Sequence, residues 1–124
     1  MISKLKEEGI EFLFEAILKL ETIEECYNFF EDLCTVPELK AMSQRLVVAK
    51  MLNDDKVYSD IVGKTGASTA TISRVNRALN YGCDGYNIVL ERIEKFRNEE
   101  NIKRTFKLSK ARVEAENRYL GLKG

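Results

Sequence analysis

The chain has 124 residues, 44% of them hydrophobic, and its 20 basic and 20 acidic residues give no net charge. This length suits one domain, or one domain with a tail, and the apolar fraction is enough for a core. The single proline and the lack of strand-like runs predict an all-α protein. No apolar run approaches the roughly 20 residues that a membrane span needs, and the charged first residues do not resemble a signal peptide. We therefore expect a cytoplasmic protein with no membrane partner.

Charge is unevenly distributed along the chain. Residues 1–36 hold three lysines and nine acidic residues, residues 37–80 hold seven basic and four acidic residues, and residues 81–124 hold ten and seven. An acidic start followed by a basic middle and end suits a protein that turns one face toward phosphates, although an ordinary solvated surface fits the counts about as well.

Cys26, Cys34 and Cys83 are the three cysteines, and the chain has no histidine. An odd number of widely spaced cysteines without histidine argues against a disulfide framework and against a zinc site. We expect no metal and no cofactor. Cys26 and Cys34 fall on apolar helix positions, where they suit small core residues.

Residues 9–20 and 22–34 place apolar side chains at helical spacing and predict the first two helices. Thr22 and Glu25 form a capping-box pattern at the start of the second helix. The predicted apolar faces comprise Phe12, Leu13, Ala16, Ile17 and Leu20, then Ile23, Cys26, Tyr27, Phe30, Leu33 and Cys34. These faces are too wide for a small unit at 37–80 to cover. A core shared by two chains would cover them, with monomeric packing as the alternative.

The third predicted helix begins with a second capping box, formed by Thr35 and Glu38, with Pro37 in the first turn. It extends to about Asn53, and residues 53–56 form the turn that ends it. Its predicted buried face consists of Leu39, Met42, Leu46, Ala49 and Leu52.

A short helix over 58–65 and a longer one over 69–80 are predicted next, joined by a turn at 66–68. The short helix has Ser59 as a candidate cap and turns Ile61 and Val62 inward. Gly66 suits the left-handed end of that helix. Ser68 or Thr69 can cap the longer helix, whose buried row is Ile72, Val75 and Leu79.

Burial of that row leaves the longer helix with a polar, exposed side that suits the DNA major groove. The candidate groove-reading residues are Thr69, Ala70, Ser73, Asn76 and Arg77. Ser68 and Thr71 lie at the helix N-terminus, which favours a nearby phosphate. Lys56 and Lys64 are candidate contacts to the DNA backbone. A capped surface helix without DNA is the alternative interpretation.

The order Thr35-x-Pro37-Glu38, Ala41, Arg45, and then the run 66–74, closely resembles the Trp repressor family. In finer detail, residues 27–35 and 67–74 resemble the YerC/YecD group of TrpR-like proteins, and the resemblance covers roughly residues 10–86. It implies an intertwined, all-helical homodimer with a helix-turn-helix that binds double-stranded operator DNA as a transcriptional repressor. By this resemblance Thr69, Ala70 and Ser73 face bases, largely through water, and Thr71 lies near phosphate.

The resemblance also implies an effector pocket. Arg45 and Arg74 match the arginines that hold the amino-acid effector in tryptophan-responsive members, and Thr35, Val75 and Ala78 complete the candidates. Val75 stands where the tryptophan-binding pattern has glycine, and Ala78 replaces a serine. The branched Val75 side chain takes space that an indole needs. We therefore predict that tryptophan is not the corepressor; the arginines would bind another anion as effector, reach phosphates or, with slight preference, form structural ion pairs.

The predicted domain spans 1–86, and 87–124 form a helical basic extension. Val89, Ile93 and Phe96 predict a helix over 87–100. Residues 101–124 mix basic and apolar side chains, and three arrangements stay open: a solvated helix packed on the dimer, a DNA-contacting arm that folds on binding, or disorder.

Together these patterns predict a sequence-specific DNA-binding transcriptional regulator, with repression favoured, that acts as a homodimer. The chain shows no histidine, glycine-rich phosphate loop or paired carboxylates, so an enzyme is not expected. A helical protein-interaction module without DNA binding is the alternative, because a helix-turn-helix shape does not require DNA.

Overall fold

The computed structural model describes residues 6–119, and these residues form six helices and no strand. The helices are α1 (Glu8–Ile17), α2 (Ile23–Leu33), α3 (Val36–Asn53), α4 (Tyr58–Thr65), α5 (Thr69–Tyr81) and α6 (Gly85–Tyr119). The predicted all-α class is confirmed. In the described range, no helix has both the length and the apolar character to cross a membrane. The chain divides into two compact units, residues 1–44 and 45–124, with the boundary inside α3.

The predicted capping box of α3 forms in full, and that of α2 forms in part. The Thr22 hydroxyl accepts a hydrogen bond from the Glu25 N–H at 3.1 Å. The Glu25 carboxylate accepts from the Glu21 N–H at 2.9 Å, one residue before the cap. At α3 the exchange is reciprocal, because Glu38 donates its N–H to Thr35 Oγ1 at 3.3 Å and accepts the Thr35 N–H at 3.0 Å. Both helix starts are thus set by side chains within one turn.

In the unit of residues 1–44, the apolar faces of α1 and α2 are largely uncovered. Neither helix contains a buried residue. Phe12 is 73% exposed, Leu18 82% and Ile23 76%. Cys26 and Cys34 are half-buried free thiols. The predicted apolar stripes exist, but in the single chain much of their surface stays in contact with solvent.

The unit of residues 45–124 contains the core. Its buried residues are Val48, Ala49, Ile61, Ala67, Ile72, Val75 and Leu90. Met51, Leu52, Leu79 and Tyr86 pack against this cluster and are partly buried. Four helices, α3 to α6, thus contribute side chains to one cluster that holds α4 and α5 in place.

In the single chain, several residues that the sequence predicts as buried are exposed. On α3, Met42 and Leu46 are exposed, whereas the unpredicted Val48 is fully buried beside Ala49. The helix belongs to two units, so one periodic stripe does not describe its buried side along the whole length. On α4, Val62 is exposed, because Ile61 alone fills the inward position of this eight-residue helix.

Ser59 does not cap α4. The helix starts at Tyr58 after an extended Val57, and no side chain caps it. Ser59 therefore lies inside the first turn, two positions after the N-cap residue Val57.

A glycine and a left-handed aspartate separate α5 from α6. A Cβ at Gly82 would overlap the carbonyl oxygen of Ala78. Asp84 adopts φ 65°, and its carboxylate accepts a hydrogen bond from the Asn87 amide at 2.8 Å. The predicted breaker over 81–86 is thus shorter than expected, because α6 already begins at Gly85. The predicted helix over 87–100 is confirmed as part of α6, which continues to Tyr119.

Candidate nucleic-acid interface

The turn between α4 and α5 is fixed by backbone conformation, hydrogen bonds and burial together. Gly66 ends α4 at φ 69°, the left-handed region that favours glycine. The Thr65 hydroxyl donates to the Ile61 carbonyl at 2.7 Å and accepts from the Ala67 N–H at 3.1 Å. Ala67 itself is only 2% exposed. This turn therefore holds the start of α5 in a defined position relative to α4.

The first turn of α5 is capped by Ser68, one of the two predicted caps. Its hydroxyl accepts from the Thr71 N–H at 3.1 Å and donates to Thr71 Oγ1 at 3.0 Å. The N–H groups of Thr69 and Ala70 have no partner inside the helix, as at any helix start. The Thr71 hydroxyl lies beside this cap, where it can donate to an anion such as phosphate. With these N–H donors, the N-terminus of α5 suits the binding of a negatively charged group.

The exposed side of α5 carries most of the predicted groove-reading residues. Thr69, Ala70, Ser73 and Arg77 are all exposed. Ile72 and Val75 face the other way and are buried at 0% and 2% exposure. The amphipathic division predicted from periodicity is present, and it brings hydroxyl, methyl and guanidinium groups onto one surface.

Asn76 differs from its neighbours on α5. It is half-buried, and its side-chain oxygen lies 3.3 Å from the Asn80 amide nitrogen, which also donates to the Asn76 backbone carbonyl at 2.9 Å. Asn76 therefore has its amide N–H groups left for an outside partner. Asn80 was missed in the sequence analysis; its position four residues after Asn76 on the same helix side was the available signal.

Two tyrosines flank this surface. A shallow depression of about 480 Å³ is lined by Tyr58, Ser73, Arg74, Asn76, Arg77, Asn80 and Tyr81. The sequence pattern alone does not place Tyr58 or Tyr81 on this surface. Lys56 and Lys64 are exposed but do not line the depression.

The candidate effector residues occupy different environments. Val75 belongs to the buried core, and Ala78 is half-buried. Arg45 and Arg74 are both exposed, and neither forms an ion pair with any residue in 6–119. The structural ion pairs favoured from sequence are therefore not found within the described part of one chain.

Thr35 has its hydrogen-bonding groups engaged in the cap of α3. Its hydroxyl donates to Glu38 Oε1 at 2.7 Å, and these bonds lower the pKa of the Glu38 carboxyl below its usual value. Because a carboxylate is the better acceptor, hydrogen bonds to the charged form favour ionisation. A free Thr35 hydroxyl is not available to an effector while this cap is formed.

Two helices joined by a three-residue turn, the second with a capped polar start, form the arrangement of helix-turn-helix proteins. The model of the Trp repressor protein family matches residues 8–94, and the chain belongs to this family. This is a regulatory family.

Relatives of known sequence and structure agree with this assignment. The chain is 49% identical over 102 residues to the uncharacterized protein YerC of Bacillus subtilis strain 168, covering 82% of this chain and 98% of that protein. A TrpR-like protein from Eubacterium eligens ATCC 27750 has a crystal structure with 59% identity and a TM-score of 0.71, covering 73% and 94% of the two chains. A candidate Trp repressor from Staphylococcus aureus gives 53% identity and a TM-score of 0.70, covering 73% and 91%.

Proposed function

We propose that this protein is a sequence-specific DNA-binding transcriptional regulator, with repression as its favoured mode, that acts as a homodimer and does not respond to tryptophan. The observation that carries the proposal is the exposed polar side of α5, held by a buried core and a fixed turn. Such a regulator works where the chromosome is, so the proposal includes a cytoplasmic location.

The residues on α5 suit recognition of base edges. Exposed Ser73 and Arg77 can meet acceptors in the major groove, and Ala70 can contact a thymine methyl group. The capped helix start, with Thr71 beside it, favours a DNA phosphate. Lys56 and Lys64 would add contacts to the backbone, which position the protein without selecting a sequence.

Homodimer formation is supported by apolar surface that the single chain leaves uncovered. Phe12, Leu18 and Ile23 are mostly exposed on α1 and α2. The unit of residues 45–124 has its own apolar groove of about 370 Å³, with Leu46, Val47 and Ile93 in its lining. Exposed apolar patches on this scale mark interaction surfaces, and a second copy of the chain supplies matching patches by symmetry.

The loss of tryptophan response is supported by Val75. Its side chain is packed in the core at 2% exposure, so no indole can enter the space it fills without displacing core atoms. Arg45 and Arg74 remain exposed and are candidates for a different anionic effector or for DNA phosphates. Calorimetric titration with tryptophan should give no binding heat; micromolar affinity would contradict this part of the proposal.

The test of DNA binding starts with fragments that the protein selects from a genomic pool. Arg77→Ala and Ser73→Ala should weaken binding to the selected DNA while circular dichroism stays unchanged. Lys40→Ala, which removes an exposed positive charge in residues 1–44, is the control and should bind like the wild type. Unchanged affinity in both α5 variants would remove the assignment of α5 as the recognition helix.

A helical protein-interaction module is the second candidate, and the exposed apolar residues of α1 and α2 favour it. The two functions differ in their response to salt. A DNA-binding protein is retained on a column of random duplex DNA, and its affinity falls steeply as salt rises. An interaction module would not be retained on that column.

A further inference from the structure

The later part of α6 carries a concentrated positive charge. Residues 101–113, called the basic segment, contain five basic residues and no aspartate or glutamate. These are Lys103, Arg104, Lys107, Lys110 and Arg112. Every residue of the segment is exposed. The match to the Trp repressor family ends at residue 94, so the segment lies outside the part of the chain that the family accounts for.

Four of the five basic residues lie on one side of this helix, and the fifth, Arg112, lies beside exposed Leu108 outside that side. At about 100° per residue, four of the basic residues fall within about a third of the helix circumference. These are Lys103, Arg104, Lys107 and Lys110. The exposed side chains of Ile102, Phe106 and Val113 form a row about a third of the circumference away. The basic side therefore presents cations without intervening acidic or large apolar groups.

Most of these cations are available to a partner. Lys103 Nζ lies 3.7 Å from Glu100 Oε1, with the lysine side chain 75% exposed. A pair this exposed contributes little and exchanges readily for another anion. Arg104, Lys107 and Lys110 form no ion pair with any residue in the described range.

The segment lies about 30 Å along α6 from the end of this helix that is tied to α5. The start of α6 is tied to α5, because the Asn87 amide donates to the Leu79 carbonyl at 3.2 Å. At about 1.5 Å per residue, Lys103 and Lys110 lie roughly 27 and 38 Å along the helix from Gly85. That distance is comparable to one turn of the double helix, about 34 Å.

We infer that residues 103–110 form a second DNA-binding element, which contacts backbone phosphates that flank the site read by α5. The inference rests on the proposed DNA-binding function. Clustered, exposed cations are the complement of a phosphate backbone, and such contacts raise affinity and salt dependence without selecting sequence. An anionic lipid surface is the competing partner that the test must separate.

The test compares two triple variants that remove the same charge from the full chain. One is Arg104→Gln/Lys107→Gln/Lys110→Gln in the basic segment. The control is Lys6→Gln/Lys19→Gln/Lys40→Gln, three exposed lysines in residues 1–44. Glutamine keeps helix propensity close to that of lysine and arginine, and circular dichroism checks that both variants remain helical.

Binding is measured over a range of salt to a random-sequence duplex of about three helical turns and to the DNA selected from the genome. The segment variant should bind both at least about tenfold more weakly near 0.1 M salt, with the log–log salt slope reduced by about 2 to 3 for each chain, or about 5 for a homodimer. Because phosphate contacts carry no sequence information, the preference for selected over random DNA should stay the same. The control variant should stay within about twofold of the wild type, since its lysines would not touch phosphate.

The remaining outcomes separate this inference from the proposed function. If the wild type binds DNA and the segment variant keeps its salt slope, the inference is overturned and the proposed function stands. If the wild type binds no duplex even at low salt, both the inference and the proposed DNA-binding function are wrong. The last comparison uses vesicles rich in phosphatidylserine. If the segment variant loses binding to the vesicles but keeps binding to DNA, the inference is overturned in favour of a membrane surface.

Discussion

The Thr35 hydroxyl and the Glu38 carboxylate lie 2.7 Å apart across the first turn of α3. Their side chains also bond to each other's backbone N–H groups. The bonds to Thr35 lower the pKa of Glu38 from its ordinary value of 4.5. A carboxyl whose pKa is lowered in the folded chain stabilises folding above its unfolded pKa, and this contribution is lost as pH falls through the folded pKa.

We therefore expect Glu38→Gln to lower the melting temperature at neutral pH. The difference from the wild type should shrink as pH falls below about 4.5, since both proteins then carry an uncharged side chain at this position. Melting curves followed by circular dichroism over this pH range provide the measurement. In a Thr35→Val background, Glu38→Gln should lower the melting temperature by a smaller amount, because the Thr35 hydroxyl that bonds to Glu38 is already absent. A difference that stays constant with pH would mean that the charge of Glu38 does not contribute.

Local signals in the sequence predicted the caps at Thr22, Thr35 and Ser68 correctly but failed at Ser59 of α4. Thr35 and Glu38, like Ser68 and Thr71, act within a single turn, so the residues that decide the geometry are adjacent in the chain. The bounds of α4 were also predictable, because Gly66 supplies the left-handed end that few other residues accept.

Burial was less predictable, because it depends on which elements meet in three dimensions. Val48 is buried and Met42 is exposed on the same helix, yet both are apolar and lie near the predicted stripe. For the candidate interface the sequence indicated the polar side of α5. It did not indicate Tyr58, which comes from another helix and joins that surface only through the packing of α4 against α5.

A second prediction concerns the buried valine that replaces glycine in the family pattern. Val75→Ala should lower the free energy of unfolding by about 2 kcal/mol, because it removes buried methyl groups and leaves a cavity. Val62→Ala is the matched control: the chemical change is the same, but Val62 is 37% exposed, so we expect a cost below about 1 kcal/mol. Urea unfolding of both variants measures the difference. Equal costs would show that Val75 does not fill core space, and the argument against tryptophan would lose its basis.

A third prediction separates folding from recognition at the start of α5. Ser68→Ala should destabilise the protein by about 1 kcal/mol, since it removes the cap from the Thr71 N–H. Ser73→Ala should leave stability within about 0.5 kcal/mol, because Ser73 is exposed and caps nothing. We expect Ser73→Ala to lower the ratio of the affinity for the selected DNA to the affinity for random duplex DNA. If Ser73→Ala destabilised the fold as much as Ser68→Ala, its effect on binding would say nothing about recognition.

The last prediction concerns the uncovered faces of α1 and α2. Light scattering should give the wild type twice the chain mass of 14.2 kDa. Leu18→Glu and Ile23→Glu each place a charge on an apolar surface that a homodimer would bury, and an unpaired buried charge is strongly disfavoured. Both variants should therefore shift toward the mass of one chain and bind DNA half-sites more weakly, since paired half-sites need two reading helices.

Tyr81→Glu provides the control for that experiment. Tyr81 is 86% exposed, at least as exposed as Leu18 and Ile23, but it lies at the end of α5 rather than on α1 or α2. Its substitution should leave the mass at that of two chains, because the new charge would stay in water. A wild-type mass of one chain would contradict the homodimer directly. Loss of the dimer in all three variants would instead point to a general effect of added negative charge, and the faces of α1 and α2 would no longer be the interface that the exposed Leu18 and Ile23 indicate.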